Sequence, residues 1–333
     1  MMHPTVTSDA TDSGWRPSSD ARGTDLSIVI INWNGADYVR GCLRSILATP
    51  PRCSYEVIVA DAASFDGCGE MVAREYPQVR FLQLQDNVGF ARANNAAVRL
   101  ARGKLLLFLN PDTEVLSDAI DQLVAVVVNH QNAGVVGARL LNSDRSVQVT
   151  CIKSFPSILG ELLGSEFLQS RLPRWKLWGM AALSLVDAKP APVEVISGAC
   201  MLMRREIFEK IGGFNSDYFM YSEDVELCYS ASRMGLQNLY VPGAQVVHHG
   251  GKSSEQTPGD FSVRTMRESR WRYFRKHRGL PYALAYRAAM FISALVRASI
   301  ASVASLLFPA RTSTWRDTRR KWWVVARWAV GLK

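Results

Sequence analysis

Four short runs of aliphatic and β-branched residues, each leading into a polar loop, constrain this chain more than any other feature. Leu26 to Trp33 reads Leu-Ser-Ile-Val-Ile-Ile-Asn-Trp, and Glu56 to Asp61 reads Glu-Val-Ile-Val-Ala-Asp. Val79 to Leu84 and Lys104 to Asn110 complete the set, with helical patterns at Asp37–Leu47, Asp66–Tyr76 and Phe90–Ala101 between them. A continuous apolar run of this length is a strand covered on both faces, and strands alternating with helices are joined by parallel crossovers. The reading is an α/β fold with a doubly wound, mostly parallel sheet. At 333 residues and 48% hydrophobic content, the chain has enough material for one large core and an appendage.

Sheets of this kind bind ligands beyond the carboxyl ends of their strands. The polar residues there are Asn32 and Asn34, Asp61, Asn87, and Asn110 with Asp112. Each also has a structural reading. Asp61 and Asp66 suit a turn and a helix cap; Asp61 equally suits a hydrogen bond to a base or ribose. Gly89 allows close backbone approach and Phe90 opens a helix. Asn94 and Asn95 sit inside that helix, where Asn is a poor former, so they serve either ligand binding or a buried network. Pro111 stiffens the turn from which Asp112 projects, either as a simple turn residue or, with diphosphate oxygens, as a ligand of a hard divalent cation. No G-x-G-x-x-G follows the first strand and no G-x-x-x-x-G-K-S/T occurs, which argues against a dinucleotide dehydrogenase or a P-loop NTPase.

Further along, Gly212-Gly-Phe-Asn-Ser-Asp-Tyr-Phe-Met-Tyr-Ser-Glu-Asp224 leads into an apolar-periodic segment, Val225 to Met234. Glu223, Asp224 and Glu226 there either complement a helix dipole or place a general base at a pocket rim. Val246-Val-His-His ends a late strand; adjacent residues of a strand point to opposite faces, so one of His248 and His249 faces the site.

Taken in order, these blocks resemble family 2 glycosyltransferases, specifically the rhamnosyltransferase-like branch with a GT-A fold. The matching pieces are Asn32-Trp-Asn-Gly, the Asp61/Asp66 loop, Asn87-x-Gly-Phe-Ala with Asn94, Leu109-Asn-Pro-Asp, Ser197-Gly-Ala-Cys-Met-Leu-Met-Arg-Arg, Gly212-Gly-Phe, Glu223-Asp224 and His248-His-Gly-Gly-Lys-Ser. They span roughly residues 26–255. The resemblance implies that Asn32, Asn34, Asp61, Asp66, Asn87, Gly89, Phe90, Asn94, Asn110, Gly198 and Ala199 contact a sugar nucleotide. It implies that Asp112 and His248 hold Mg²⁺ or Mn²⁺, and that Asp224, beside Glu223, is the base of an inverting displacement. Two departures stand out. Ala62 follows Asp61 where the family commonly has Asn, and Asn110 replaces the first Asp of D-x-D, so weaker metal binding is expected.

The charge is unevenly spread. From Phe261 onward there are 16 Lys/Arg against 2 Asp/Glu, a net of +14, while residues 1–260 carry a net of −5. Such a tail expects an anionic partner. Arg287 and Arg297 interrupt the apolar run Tyr282 to Phe308, which argues against a clear membrane span. Trp315, Trp322, Trp323 and Trp328 among arginines suggest an interfacial membrane helix; ordinary helix packing is the alternative. No nucleic-acid module appears.

The expected organisation is a disordered leader at 1–24, a glycosyltransferase domain at 25–260 and a helical tail at 261–333. The domain divides into a nucleotide half (25–142) and an acceptor half (143–260). Residues 150–190, with Leu159, Leu162, Phe167, Trp175 and Trp178, show no clean period and would supply acceptor loops. Six scattered cysteines and no secretory signal point to a reduced cytoplasmic setting, at the inner face of the cell membrane. The expected reaction moves a sugar, foremost rhamnose, from a dTDP- or UDP-linked donor to a lipid-linked or polysaccharide acceptor of the cell envelope. A homodimer is admitted. The alternatives are another sugar, such as galactofuranose or N-acetylglucosamine, and a non-catalytic sugar-nucleotide-binding scaffold.

Overall fold

The computed structural model describes residues 23–163, 189–250, 259–307 and 312–332. Most of the expected leader, the stretch bearing Phe167, Trp175 and Trp178, and the Gly-Lys-Ser segment after Gly250 lie outside the described residues.

The first four apolar runs form β1 (Leu26–Asn32), β2 (Tyr55–Ala62), β3 (Arg80–Leu84) and β4 (Leu105–Leu109). They are parallel neighbours in the order β3-β2-β1-β4. Every residue of β1 and β4 is buried, which is why both read as unbroken apolar runs. Helices α1 (Ala36–Ala48), α2 (Cys68–Glu75) and α3 (Phe90–Val98) cross between them. The helix α1 buries Val39, Cys42, Leu43 and Ile46, the stripe that its 3.6-residue period places on one face.

The sheet continues with β5 (Thr113–Val115), β6 (Ala133–Leu141), β8 (Ala191–Val193), β10 (Cys200–Arg204) and β11 (Gln237–His248). A separate pair is formed by β7 (Ile152–Lys153) and β9 (Val195–Ile196). The full order is β3-β2-β1-β4-β10-β6-β11-β5, with β8 alongside β11. Strand β10 runs antiparallel to both β4 and β6. Its register pairs Cys200 with Leu109, so the residues just before β10 join the carboxyl edge of β4. The two halves expected at 25–142 and 143–260 therefore share one sheet.

Helices α4 (Ala119–Asn129), α5 (Ile158–Leu163), α6 (Arg205–Ile211) and α7 (Glu223–Arg233) precede the tail, which forms α8 (Gly259–Arg278), α9 (Leu280–Leu307) and α10 (Thr312–Ala329). The tail meets the body through buried Tyr273, which packs edge-on against Tyr229, while buried Phe274, Tyr286 and Trp328 pack its own helices together. The structure revises the reading of its tryptophans and arginines. Trp322 and Trp328 are buried, and Arg297 and Arg287 stack over their rings at 4.6 and 5.2 Å. These cation–indole pairs are internal packing, and the two arginines that break the apolar run point toward the protein. By length and composition α9 can cross a membrane, at 28 residues with an 18-residue window of mean hydropathy 1.8.

Candidate active site

The carboxyl edge of the sheet gathers residues from four strand ends and from the head of α7. At the end of β2, Asp61 is 1% exposed and its carboxylate is held from three sides. Oδ2 accepts from Asn32 Nδ2 at 2.8 Å; Oδ1 accepts from Ser64 N at 2.8 Å and Gln83 Nε2 at 2.9 Å. Asn34, in the left-handed region at φ 51°, donates its N–H to Ser64 Oγ and accepts from Phe65 N. Asp66 binds the two helix starts beside it, accepting from Ala36 N at 2.7 Å and Cys68 N at 3.2 Å. It supplies from outside the cap that Gly35 and Gly67 lack. Asn34 and Asp66 also line a polar cleft of about 410 Å³ with Tyr38, Arg40, Glu70 and Arg74. A larger, mostly apolar cavity lies at the opposite edge, around Asp25, Lys104 and Arg204, away from these residues.

The β3–α3 loop is built differently from the expected nucleotide contact. Gly89 has φ +81°, and a Cβ there would lie 2.2 Å from the Phe219 carbonyl oxygen. The close approach it permits is to this chain's own backbone. Phe90 N donates to the same carbonyl at 2.9 Å, and its ring meets Phe214 edge-on. Asn87 Oδ1 accepts from Gly89 N, and Asn94 Nδ2 donates to Phe90 O within the helix. Asn95 clamps Phe214 by two backbone hydrogen bonds, at 2.7 and 2.9 Å. Gly89, Phe90 and Asn95 thus hold the Gly212–Asp224 stretch in place, while Asn87 and Asn94 shape the loop itself.

At the end of β4, Asp112 is 5% exposed, and its Oδ1 lies 3.4 Å from His248 Nε2, which comes from the end of β11. His248 Nδ1 lies 2.8 Å from Gln148 Oε1. An amide oxygen can only accept, so Nδ1 donates to it, and Nε2 is the nitrogen that faces Asp112. Asn110 Nδ2 is 3.3 Å from the same nitrogen. His249 turns the other way, to Glu114 and Ser143. Among the described residues no cluster of three or more His, Cys, Asp or Glu forms a cation cage. The carboxylate–imidazole pair suits a divalent ion only if a ligand's oxygens complete the shell.

The residues before β10 connect these parts to α7. Ala199 O accepts from Asn110 N at 3.0 Å, and Gly198 N donates to Asp224 Oδ2 at 3.2 Å. A two-residue segment therefore ties the β4 turn to the head of α7. Gly198 has room for this because a Cβ there would meet Asp224 Cβ at 3.4 Å. Asp224 Oδ1 also accepts from Val225 N. Tyr221 and Ser222 both sit at φ 70°, an uncommon conformation for residues other than glycine. The cap is Ser222, without a side-chain capping bond.

Glu223 is 7% exposed, and its Oε2 has no hydrogen-bond partner among the described residues. Burial, with Asp224 next to it, pushes its carboxyl up to about 8. Glu226 does not serve the dipole. It is buried and accepts from Lys276 Nζ at 2.6 Å and Tyr218 Oη at 3.0 Å, with His277 Nε2 at 2.7 Å. Burial raises this carboxyl, but the Lys276 and His277 hydrogen bonds prevail and hold it below the usual range. Gln83, Gln148, Lys276 and His277 carry no motif, and only the folded chain brings them to these partners.

Two family descriptions match. Glycosyl transferase family 2 covers residues 27–212, and Glycosyl transferase family group 2 covers residues 138–332. Among curated relatives, the N-acetylglucosaminyl-diphospho-decaprenol L-rhamnosyltransferase of Mycobacterium tuberculosis is 29% identical over 246 residues, spanning 70% of this chain and 78% of its own. The rhamnosyltransferase WbbL of Escherichia coli K12 is 24% identical, over 67% of this chain and 82% of its own. A solved structure of the mannosyltransferase PcManGT from Pyrobaculum calidifontis, in complex with GDP-Man and Mn²⁺, superposes with a TM-score of 0.56 at 19% identity. It covers 97% of this chain and 92% of that one, and establishes the shared fold.

Proposed function

The chain belongs to glycosyl transferase family 2, and from that premise we propose that it is an inverting, metal-dependent transferase moving rhamnose from a nucleoside-diphosphate sugar to a lipid-linked acceptor. The similarity to two rhamnosyltransferases, one acting on a decaprenol-linked substrate by its name, supports the sugar and the acceptor class. The free thiols, five of six buried, suit a reducing compartment, and we place the reaction on the cytoplasmic side.

One observation carries the reading: the segment Gly198–Ala199 hydrogen-bonds to both Asn110 and Asp224, so a candidate base stands across two residues from the candidate diphosphate site. Asp61, held by Asn32, Ser64 and Gln83, would recognise the nucleobase or ribose. Asp112 and His248 would hold Mg²⁺ or Mn²⁺, which when bound neutralises charge on the departing diphosphate. Asp224 takes the proton of the acceptor hydroxyl as that oxygen bonds to the anomeric carbon. The bond from the anomeric carbon to the diphosphate oxygen breaks on the opposite face, and its electron pair leaves with the nucleoside diphosphate. Glu223, holding its proton at neutral pH, leaves Asp224 as the base.

Asp224→Asn tests this. Transfer is expected to fall by at least ~100-fold, the lower end for losing a general base, while a thermal-shift titration with dTDP or UDP and Mn²⁺ stays as in the wild type. Undiminished turnover removes Asp224 from the mechanism. A protein that binds no nucleotide in either form refutes the transferase reading as a whole.

A further inference from the structure

Helix α9 has two apolar faces, of which the protein uses one. Small and aromatic side chains, among them Ala283, Tyr286, Met290, Ala294 and Ala298, are buried, with α8 and α10 as the main neighbours. The opposite face carries Leu284, Ile292, Val296, Ile300, Val303 and Leu307, all between 52% and 67% exposed. They recur at three- to eight-residue steps, as one side of a helix requires.

The stripe is unbroken by charge. The only charged residues of α9 are Arg287 and Arg297, and both are engaged by the protein. Arg287 donates to Trp328 O at 2.9 Å and lies over the Trp271 and Trp328 rings; Arg297 donates to Leu162 O and lies over Trp322. A 28-residue helix is about 42 Å long, and an apolar face of that length in water marks an interaction surface.

Charge selects the occupant. A second copy of the chain would bring one tail of net +14 against another. An anionic lipid surface complements both features. On the neighbouring helix α10, Arg316, Arg319 and Arg327 are exposed around Trp323, an indole half open to solvent, and exposed Arg320 pairs with Asp260. Cations for headgroups and an indole for the interface are what such a surface takes up. The engagement of α9 also sets its attitude. Crossing a bilayer would strip its inner face from α10 and carry two arginines into hydrocarbon.

We propose that the exposed face of α9, with the arginines of α10 contributing, docks the protein flat on an anionic bilayer without crossing it. The stripe then sinks into the boundary between headgroups and acyl chains. This rests on the packing of the tail and is independent of the sugar-transfer reading, since binding is measured without turnover.

The test is flotation of the full-length protein with phosphatidylcholine vesicles, with and without phosphatidylglycerol. The wild type should float with anionic vesicles and be released by alkaline carbonate. The triple variant Ile292→Glu, Val296→Glu, Ile300→Glu should lose at least ~10-fold in bound fraction with its melting temperature unchanged, because all three side chains face solvent. Arg316→Gln with Arg319→Gln, a variant that leaves the apolar face intact, should weaken binding to anionic vesicles and flatten its salt dependence. Three results would overturn the proposal. One is undiminished binding by the triple variant. Another is loss of self-association in that variant with vesicle binding preserved, which would assign the face to a second copy. The third is retention after carbonate washing, which would mean that α9 crosses.

Discussion

Replacing Glu223 by Gln should stabilise the protein in mild alkali far more than in mild acid. The carboxyl is buried, lacks a partner for one oxygen and has Asp224 beside it, and it is pushed up to about 8 from an ordinary value of 4.5. The sign follows from proton counting. Between those two values the folded state keeps a proton that the unfolded chain has released, so stability is full below about 4.5 and falls as pH rises through 8. Each unit of pH in that window costs about 1.4 kcal/mol, so from about pH 5.5 to 8 the loss is roughly 3 kcal/mol.

Glutamine keeps the shape and does not titrate. Urea unfolding of wild type and Glu223→Gln at about pH 5.5 and pH 8.5 isolates the effect, because every other titrating group is common to both proteins. The difference in stability between them should widen by roughly 3 kcal/mol in favour of the variant at the higher pH. Parallel profiles, with a widening under about 1 kcal/mol, would show that Glu223 ionises normally in the fold. The assignment of the proton to Glu223 and of the base to Asp224 would then lose its physical basis.

Gly89→Ala should cost at least about 2 kcal/mol, since φ 81° with ψ 171° is a glycine-only conformation and the new methyl would collide with the Phe219 carbonyl. Urea melts check it, and wild-type stability would refute the close approach of Gly89 to the Phe219 carbonyl. Glu226→Gln removes a buried carboxylate that accepts from half-exposed Lys276 and from Tyr218, and should cost about 1–2 kcal/mol at neutral pH. The stability from Glu226 is present above its unfolded value of 4.5 and lost as pH falls through its depressed folded value, so the variant should lack that acid-side loss. If Glu226 positions Asp224, kcat falls while KM for the donor holds; unchanged kcat would confine it to stability.

The parallel half of the fold is legible because β1, β4 and most of β2 are covered on both faces and so spell themselves as apolar runs, while the edge strand β3, Arg-Phe-Leu-Gln-Leu, has no fully buried residue and is not so covered. Residues at their carboxyl ends, Asn32, Asp61, Asn110 and Asp112, follow from that topology alone. Strand β10 is not legible in the same way. Cys-Met-Leu-Met-Arg suits helix or strand, and its antiparallel place depends on pairing with β4 and β6, far off in sequence. Gly89 announces a close approach but not what approaches. Whether an arginine in an apolar helix faces lipid or protein is decided by the indoles that meet it, and those of Trp322 and Trp328 arrive on another helix. Gln148 shows the same limit, for nothing in its neighbourhood marks it as the residue that orients His248.

The tail and the helix that carries Asp224 are one mechanical unit. The stretch from Gly212 to Asp224 is gripped on one side by α3, where Asn95 clamps Phe214 and Gly89 admits Phe219. On the other side α8 grips it, through Ser269 to Met220 O at 2.8 Å and Arg272 to Asp217 O at 3.1 Å. Lys276 and His277 then reach Glu226, two residues beyond Asp224. The positive φ angles at Tyr221 and Ser222 cost on the order of 1–2 kcal/mol each, and they persist because both flanks are pinned. The helix α8 is in turn held by α10, whose Trp328 donates to Glu268 at 3.1 Å. Removing α9 and α10 to test membrane binding would therefore loosen the base as well, and lost activity would say nothing about lipid. Substitutions on the exposed face of α9 leave every one of these contacts intact, so they alone separate docking from catalysis.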